Sequence, residues 1–171
     1  MKKILIIILI YFININYSLA DTPHYLDFKK ILNESVAGKK AQTTLKKKLD
    51  TGFKSLKEKE SKILEEEKKI VQQKKVISND EYKKKLSELR SKVSSLQKER
   101  NDLLQSVSKQ RAKARKALLD NLTPIVKDYM TDNKVRMVVD KKNVLLADEN
   151  LDITKDVITL LNKKLKTIQL N

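Results

Sequence analysis

From Leu49 to Val107 the apolar residues recur at the period of a helix that must pair with another helix, and this constrains the chain more than any other feature. Leu49, Leu56, Ile63, Ile70 and Ile77 return every seven residues, with Phe53, Glu60, Glu67 and Lys74 at the companion positions. After that, Tyr82, Leu86, Leu89, Val93, Leu96, Leu103 and Val107 alternate gaps of four and three, with Arg100 filling the missing step. The outgoing helix therefore carries a thin stripe and the returning one a fuller seam. Between them, Ser78 followed by Glu81 has the spacing of a capping box, so a helix restarts there and the two halves fold back on each other. At about 1.5 Å per residue, each helix of roughly forty residues would reach about 60 Å. Two Gly, two Pro, no Trp and no Cys leave little to punctuate or fill a single compact globule.

Charge divides the chain in the same place. Residues 39–117 hold 25 Lys and Arg against 11 Asp and Glu, a net of +14, whereas 21–38 and 118–171 together hold 11 of each. Like charge that is not paired destabilises a helix pair. Attraction of something acidic is the simplest reason to keep it. Lys-rich runs such as "LKKKL" (Lys46, Lys47, Lys48) and "YKKKL" (Lys83, Lys84, Lys85), with Arg90, are the candidate charged contacts, and Leu49, Leu56, Ile63 and Ile70 the candidate apolar ones.

The ends read as a small body. Residues 24–28, "HYLDF", favour a strand, and a short helix then leads through Gly38 into the arm. Thr123 before Pro124 predicts a kink or a helix restart, and the helix is expected to end near Asn133, which tolerates a left-handed conformation. Residues 135–139 and 144–147 are expected to form a hairpin around "DKKN", followed by a last helix striped by Ile153, Val157, Leu160, Leu161 and Leu165. Three short strands cannot cover two faces and two edges within one chain. Several copies pooling their strands would, with Tyr25, Phe28, Val135, Met137, Val139, Val144, Leu146, Ile153 and Val157 at the shared surfaces. The expected fold is thus α+β but mostly α: a discontinuous β/α body (21–38 and 118–171) bearing a basic helical-hairpin arm (39–117), with hinges at Gly38 and at Thr123 and Pro124.

The first twenty residues read as a cleavable export signal. Lys2 and Lys3 precede an unbroken apolar run over residues 4–13, too short to span a bilayer, and Ser18, Leu19 and Ala20 offer small residues at a peptidase's spacing. The mature chain is expected to begin at Asp21, outside the cytoplasm. Without cysteine it would rely on no disulfide there.

Three stretches, "ILNESVAGKKAQ" (31–42), "SNDEYKKKLSELRSKV" (78–93) and "VRMVVDKKNVLLADENLDITKDVITLLNKKL" (135–165), are similar to the Skp (OmpH-like) family of periplasmic chaperones of Gram-negative bacteria. The order of signal, strand, short helix, basic hairpin, strands and helix also resembles that family. The first strand is more polar than usual there, and Asn133 stands where Gly is common. The resemblance implies a jellyfish-shaped homotrimer whose arms enclose a cavity. It also implies an ATP-independent holdase that keeps unfolded outer-membrane proteins from aggregating in the periplasm.

Other readings fit less well. A basic coiled coil that binds anionic lipid or lipopolysaccharide is the runner-up, since polybasic segments gain about 1 kcal/mol per Lys or Arg at such surfaces. Specific nucleic-acid binding lacks a recognition helix or stacking aromatics. An enzyme is not expected, nor a cofactor or metal: His24 is the one histidine, and Glu65, Glu66 and Glu67 are consecutive, so they point around a helix rather than converge.

Overall fold

The computed structural model describes residues 22–170, so the expected export signal and the start at Asp21 lie outside the described residues. In chain order the elements are strand β1 (His24–Leu26), helix α1 (Phe28–Glu34), helix α2 (Val36–Gln73), helix α3 (Asn79–Asp132), strand β2 (Val138–Asp140) and helix α4 (Thr154–Lys164). Helices α2 and α3 form a long antiparallel hairpin, and the short elements gather at its open end.

Capping explains where the short helices begin. The Asp27 carboxylate accepts the Lys30 amide at 2.8 Å and ends β1 after three residues, earlier than the expected strand. The Asp27 amide itself donates to Thr154 Oγ1 at 2.8 Å, tying the start of α1 to the start of α4. Ser35, buried, stops α1 and caps α2: its extended backbone breaks the helix, and its Oγ accepts the Gly38 amide at 3.2 Å. The junction between body and arm is therefore Ser35. Gly38, expected as a hinge, is the tightly packed first turn of α2, where an added Cβ would stand 2.1 Å from the Leu32 carbonyl oxygen. It is glycine because two helix ends meet there without room for a methyl group.

At the far end Ser78 accepts the Glu81 amide at 3.2 Å and starts α3, as its sequence predicts. Helix α3 then runs through Thr123 and Pro124 without the expected restart. Thr123 turns its hydroxyl back to the Leu119 carbonyl at 2.9 Å instead of capping a new helix. Proline in a helix interior costs about 3 kcal/mol. Here Leu118, Leu122 and Ile125 around it are all buried in the body core, which holds the helix in line.

The C-terminus of α3 is a Schellman motif: the Val135 amide donates to the Met130 carbonyl at 2.9 Å and the Lys134 amide to the Thr131 carbonyl at 3.4 Å. The left-handed residue is Lys134 (φ 56°), not the expected Asn133, whose φ is −102°.

The sheet differs from the expected hairpin. β1 and β2 pair in parallel, Tyr25 opposite Val139, and the chain returns to the other side of β1 only through a bridge between Tyr25 and Asp152. Residues 144–147 form no strand. The sequence "DKKN" lacks the glycine that a two-residue hairpin turn needs, and no residue in it has positive φ. Asp140 instead accepts the Lys142 amide at 3.2 Å and winds Lys141–Asn143 into a 3-10 turn, which turns the chain away from β2.

The core lies in the body. Ile31, Leu118, Val157 and Leu161 are fully buried, with Ile153 beside them, and the cluster climbs the root of the arm as far as Leu45 and Val107. Of the expected stripe of α4, Val157 and Leu161 are fully buried, whereas Leu160 faces outward.

Candidate functional site

The arm is a two-helix layer, so each helix has one side against its partner and the rest in water. Its register is set by cross-helix contacts: Gly52 packs against Leu103, Glu66 meets Lys92 at 2.6 Å, and Lys59 meets Glu99. The seam uses most of the expected heptad positions, with Leu56, Ile70, Leu89 and Val107 buried and Leu49, Ile63, Leu96 and Leu103 half-buried, but Val93 and Phe53, expected along it, are 50 % and 44 % exposed.

That outcome changes the set of candidate contacts. Leu56 and Ile70 are each 4 % exposed and packed in the seam, so they are not free to touch anything else, and Leu49 and Ile63 are only partly so. The heptad that identified them is the signature of residues used inside the hairpin. Among the charged candidates, Lys46, Lys47, Lys83, Lys84 and Arg90 are exposed. Lys48 crosses to α3 and donates to Ser106 Oγ (2.8 Å) and Gln110 Oε1 (3.0 Å). Lys85 is held by Gln73 (2.9 Å) and Glu81 (3.8 Å), and so braces the tip rather than projecting from it.

Sequence reasoning missed a second apolar set. Phe53, Leu64, Val71, Val93 and Leu104 are between 44 % and 59 % exposed. Their spacings of eleven and seven within each helix were the signal available in the sequence. Leu64, Val71 and Leu104 fall outside the heptad positions followed there, so the set was never assembled.

In the body, Tyr25, Phe28, Val135, Ile153 and Val157, expected at surfaces shared with other copies, are buried within the single chain. Phe28, Ile153 and Val157 belong to the core cluster, while the Tyr25 ring lies 5.5 Å from the Lys141 ammonium. Val139 and Val144 are half-buried. Leu145 and Leu146, 95 % and 92 % exposed, lie near Tyr25, Lys30 and Asp152, and Met137, next to the unpaired edge of β2, is also exposed. An open groove lined by Phe28, Leu119, Val126, Met130 and Met137 runs along the same side.

The body's polar groups are structural. Burial raises the Asp152 pKa, but hydrogen bonds from the Thr154 hydroxyl, the Thr154 amide (2.9 Å) and Lys141 (3.4 Å) outweigh it and hold the carboxyl below its ordinary value. Burial, and then a hydrogen bond to Asp156 at 3.2 Å, pushes the Tyr129 hydroxyl up. His24 opens β1, and its Nδ1 lies 3.1 Å from the Thr22 carbonyl. Among the described residues no group of three or more His, Asp and Glu side chains is placed to hold a metal ion, and no helix is long and apolar enough to cross a membrane.

The family model for "Outer membrane protein (OmpH-like)" matches residues 24–161. No curated protein matches the chain significantly. Solved structures with this fold include an OmpH-like chain from Caulobacter crescentus, described as a candidate outer membrane chaperone. It superposes with a TM-score of 0.80 at 21 % identity, covering 86 % of this chain and 89 % of that one.

Proposed function

The chain belongs to the OmpH-like outer membrane protein family, and from that premise we propose that it is an ATP-independent periplasmic holdase for unfolded outer-membrane proteins. The observation that carries this reading is the arm: a hairpin of 38- and 54-residue helices, thinly sealed, whose segment 39–117 keeps a net +14 in solvent. An unfolded β-barrel protein must be kept from its own kind yet released without fuel. Many weak contacts along a solvated arm suit that. Excess positive charge raises the encounter rate with acidic clients over about a Debye length, about 8 Å at physiological salt. Lys46, Lys47, Lys83, Lys84 and Arg90 would carry this attraction.

The working form in this proposal is a homotrimer, secreted through the signal in residues 1–20. The free edge of β2, with Met137 next to it, supports association, because an exposed apolar strand edge is a liability unless another chain covers it, and the exposed Leu145 and Leu146 near Tyr25 and Lys30 are a second apolar surface that another chain would cover. Leu145→Asp with Leu146→Asp leaves every buried contact of the single chain in place, so it should yield a folded but dissociated protein in sedimentation equilibrium. A stable folded wild-type monomer at micromolar concentration would sink the trimer.

The function is tested by diluting a urea-unfolded outer-membrane protein into buffer with the purified chain. Suppressed light scattering without nucleotide is expected, weakening as salt rises. One feature favours the alternative of an anionic lipid or lipopolysaccharide surface: the tip, where Val76, 80 % exposed, follows Lys74 and Lys75 in the turn and exposed Lys83 and Lys84 lie near the start of α3. A wild-type protein that leaves the client's aggregation untouched and binds anionic vesicles tightly would decide for that alternative.

A further inference from the structure

The family match ends at residue 161, and the chain beyond it crosses from the body onto the arm. Helix α4 stops at Lys164, where the Leu165 amide still reaches the Leu161 carbonyl at 2.7 Å, and residues 165–170 continue as neither helix nor strand. In this tail Ile168 and Leu170 are buried, whereas Lys166, Thr167 and Gln169 are exposed. Such alternation marks an extended segment lying flat on an apolar surface. The surface is the root of the arm. Asn162 Oδ1, at the end of α4, accepts the Val36 amide at 2.8 Å, and Thr167 Oγ1 accepts from the Lys40 ammonium at 3.4 Å, one turn further along α2. The tail therefore follows α2 away from the body, and Ile168 and Leu170 join the core cluster that holds Ala37, Ala41, Leu45 and Ala114. Alanines cover little by themselves, yet Ala37 has no exposed surface.

What holds the tail is sparse. From Lys166 to Leu170 no backbone group pairs with another backbone group among the described residues. The Lys40–Thr167 contact is long and exposed, so two apolar side chains carry the attachment. Elsewhere the body is laced through its backbone, as where the Ile153 amide meets the Tyr25 carbonyl and the His24 amide the Met137 carbonyl, both at 3.0 Å. A segment held so lightly opens at a small fraction of the cost of global unfolding. The junction it spans is the weak point of the arm. Helix α2 starts afresh at Ser35, whose extended backbone (φ −63°, ψ 149°) breaks the helix. Helix α3 passes through, but Pro124 has no amide to give the carbonyl one turn back.

From this arrangement we propose that residues 165–170 are a detachable strap whose engagement sets how firmly the arm stands on the body. Engaged, Ile168 and Leu170 close the apolar root and fasten α2 to the end of α4. Released, they leave the first three turns of α2 without cover, and the arm is joined to the body chiefly through α3. It then bends at Pro124 and turns at Ser35. The strap is thus a two-state element, and anything that binds the tail away from the root loosens the arm. This control of stiffness does not depend on what the arm binds, so it stands or falls apart from the holdase reading.

The test uses the whole chain. Ile168→Asp with Leu170→Asp sets two carboxylates against the apolar root and should release the strap, while Lys166→Asp with Gln169→Asp adds the same charge at exposed positions and should not. In the first variant, amide exchange over residues 38–45 of α2 should quicken at least tenfold, with β1 and the start of α4 unchanged. Nitroxides on Lys57→Cys in the arm and Thr159→Cys in the body, on labelled chains diluted with unlabelled ones, should give a distance distribution at least twice as broad. The chain has no cysteine of its own, so Lys40→Cys and Thr167→Cys can also be joined by a short bismaleimide. The joined form should exchange at residues 38–45 at least threefold more slowly than the same variant capped with N-ethylmaleimide. Unfolding of the double Asp variant, or quickening spread equally over β1 and α4, would make Ile168 and Leu170 ordinary core residues and overturn the strap. Equal exchange in the joined and capped forms would overturn it as well.

Discussion

Body and arm are built from the same two long helices but held by different means. In the body, α3 packs against α1, α4 and the strands, and side chains such as Leu118 lose all contact with water. In the arm, the same helix has one neighbour, and of the seam residues beyond Leu103 only Leu56, Ile70 and Leu89 are buried. A third and fourth layer make the difference. One helix can seal only a narrow strip of another, so a two-helix arm is stable chiefly because the body fixes its root. The distal arm is left with area and charge to spend on a partner.

The comparison breaks if core and arm substitutions cost the same. Leu118→Ala empties a fully enclosed site and should lower the unfolding free energy by about 2–5 kcal/mol. Leu64→Ala, half in water, should change it by about 0.5 kcal/mol or less. Urea denaturation followed by circular dichroism measures both. Near-equal costs would mean that the apolar face of the arm is covered in the folded state.

The two glycines sharpen the contrast. At Gly38 a methyl group meets the Leu32 carbonyl oxygen at 2.1 Å, and backbone cannot step aside. Gly38→Ala should therefore cost about 1–3 kcal/mol despite alanine's better helix propensity. At Gly52 the obstacle is the end of the Leu103 side chain, 2.5 Å away, on the open arm, where it can rotate toward solvent. Gly52→Ala should be neutral or stabilising by up to about 1 kcal/mol. Thermal melts of the two variants should move in opposite directions.

What the sequence made legible follows the same division. The hairpin, its turn at Ser78 and its thin seam could be read because helix pairing leaves a periodic trace. The mostly helical class followed. The body was legible only as a body. Its strand pairing depended on whether "DKKN" turns back on itself, and that was decided by the Asp140 side chain capping a 3-10 turn, a local competition that alternation of Val and Leu does not record. Pro124 misled for the opposite reason: its local preference is real, but burial of Leu122 and Ile125 overrides it. On the arm, the heptads that drew attention to Leu56 and Ile70 marked the residues least available for binding. The exposed apolar set lay in the residues left over.

A smaller effect is expected where α3 ends and the chain turns toward β2. Lys134 occupies the left-handed position of the Schellman motif, where a side chain costs about 1–2 kcal/mol relative to glycine. Lys134→Gly should raise stability by about 1 kcal/mol, slightly less than the strain because glycine also gains freedom in the unfolded chain. A loss of stability on that change would show that the Lys134 side chain has a compensating partner.

The smallest effect is confined to acid and should appear in the body alone. Asp152 joins three parts of it: its carboxylate accepts from the Thr154 hydroxyl and amide and from Lys141, and Thr154 Oγ1 in turn accepts the Asp27 amide. Burial alone would raise the Asp152 pKa, but these donors hold it below the ordinary value of 3.8. A carboxylate with a depressed folded pKa contributes stability that is complete above its unfolded pKa and disappears as pH falls through the folded one. The contribution should therefore be intact at neutral pH and decline only below about pH 4. Asp152→Asn removes the titration, so the difference in stability between wild type and variant should shrink as pH drops from 5 to 2. The ion pairs of the arm are exposed and single, each worth little by itself. Backbone amide exchange followed across that range should thus show β1 and the start of α4 loosening with wild-type Asp152 and not with Asn. If the arm loosens at the same pH and to the same degree in both proteins, the acid response belongs to the hairpin and not to the latch at Asp152.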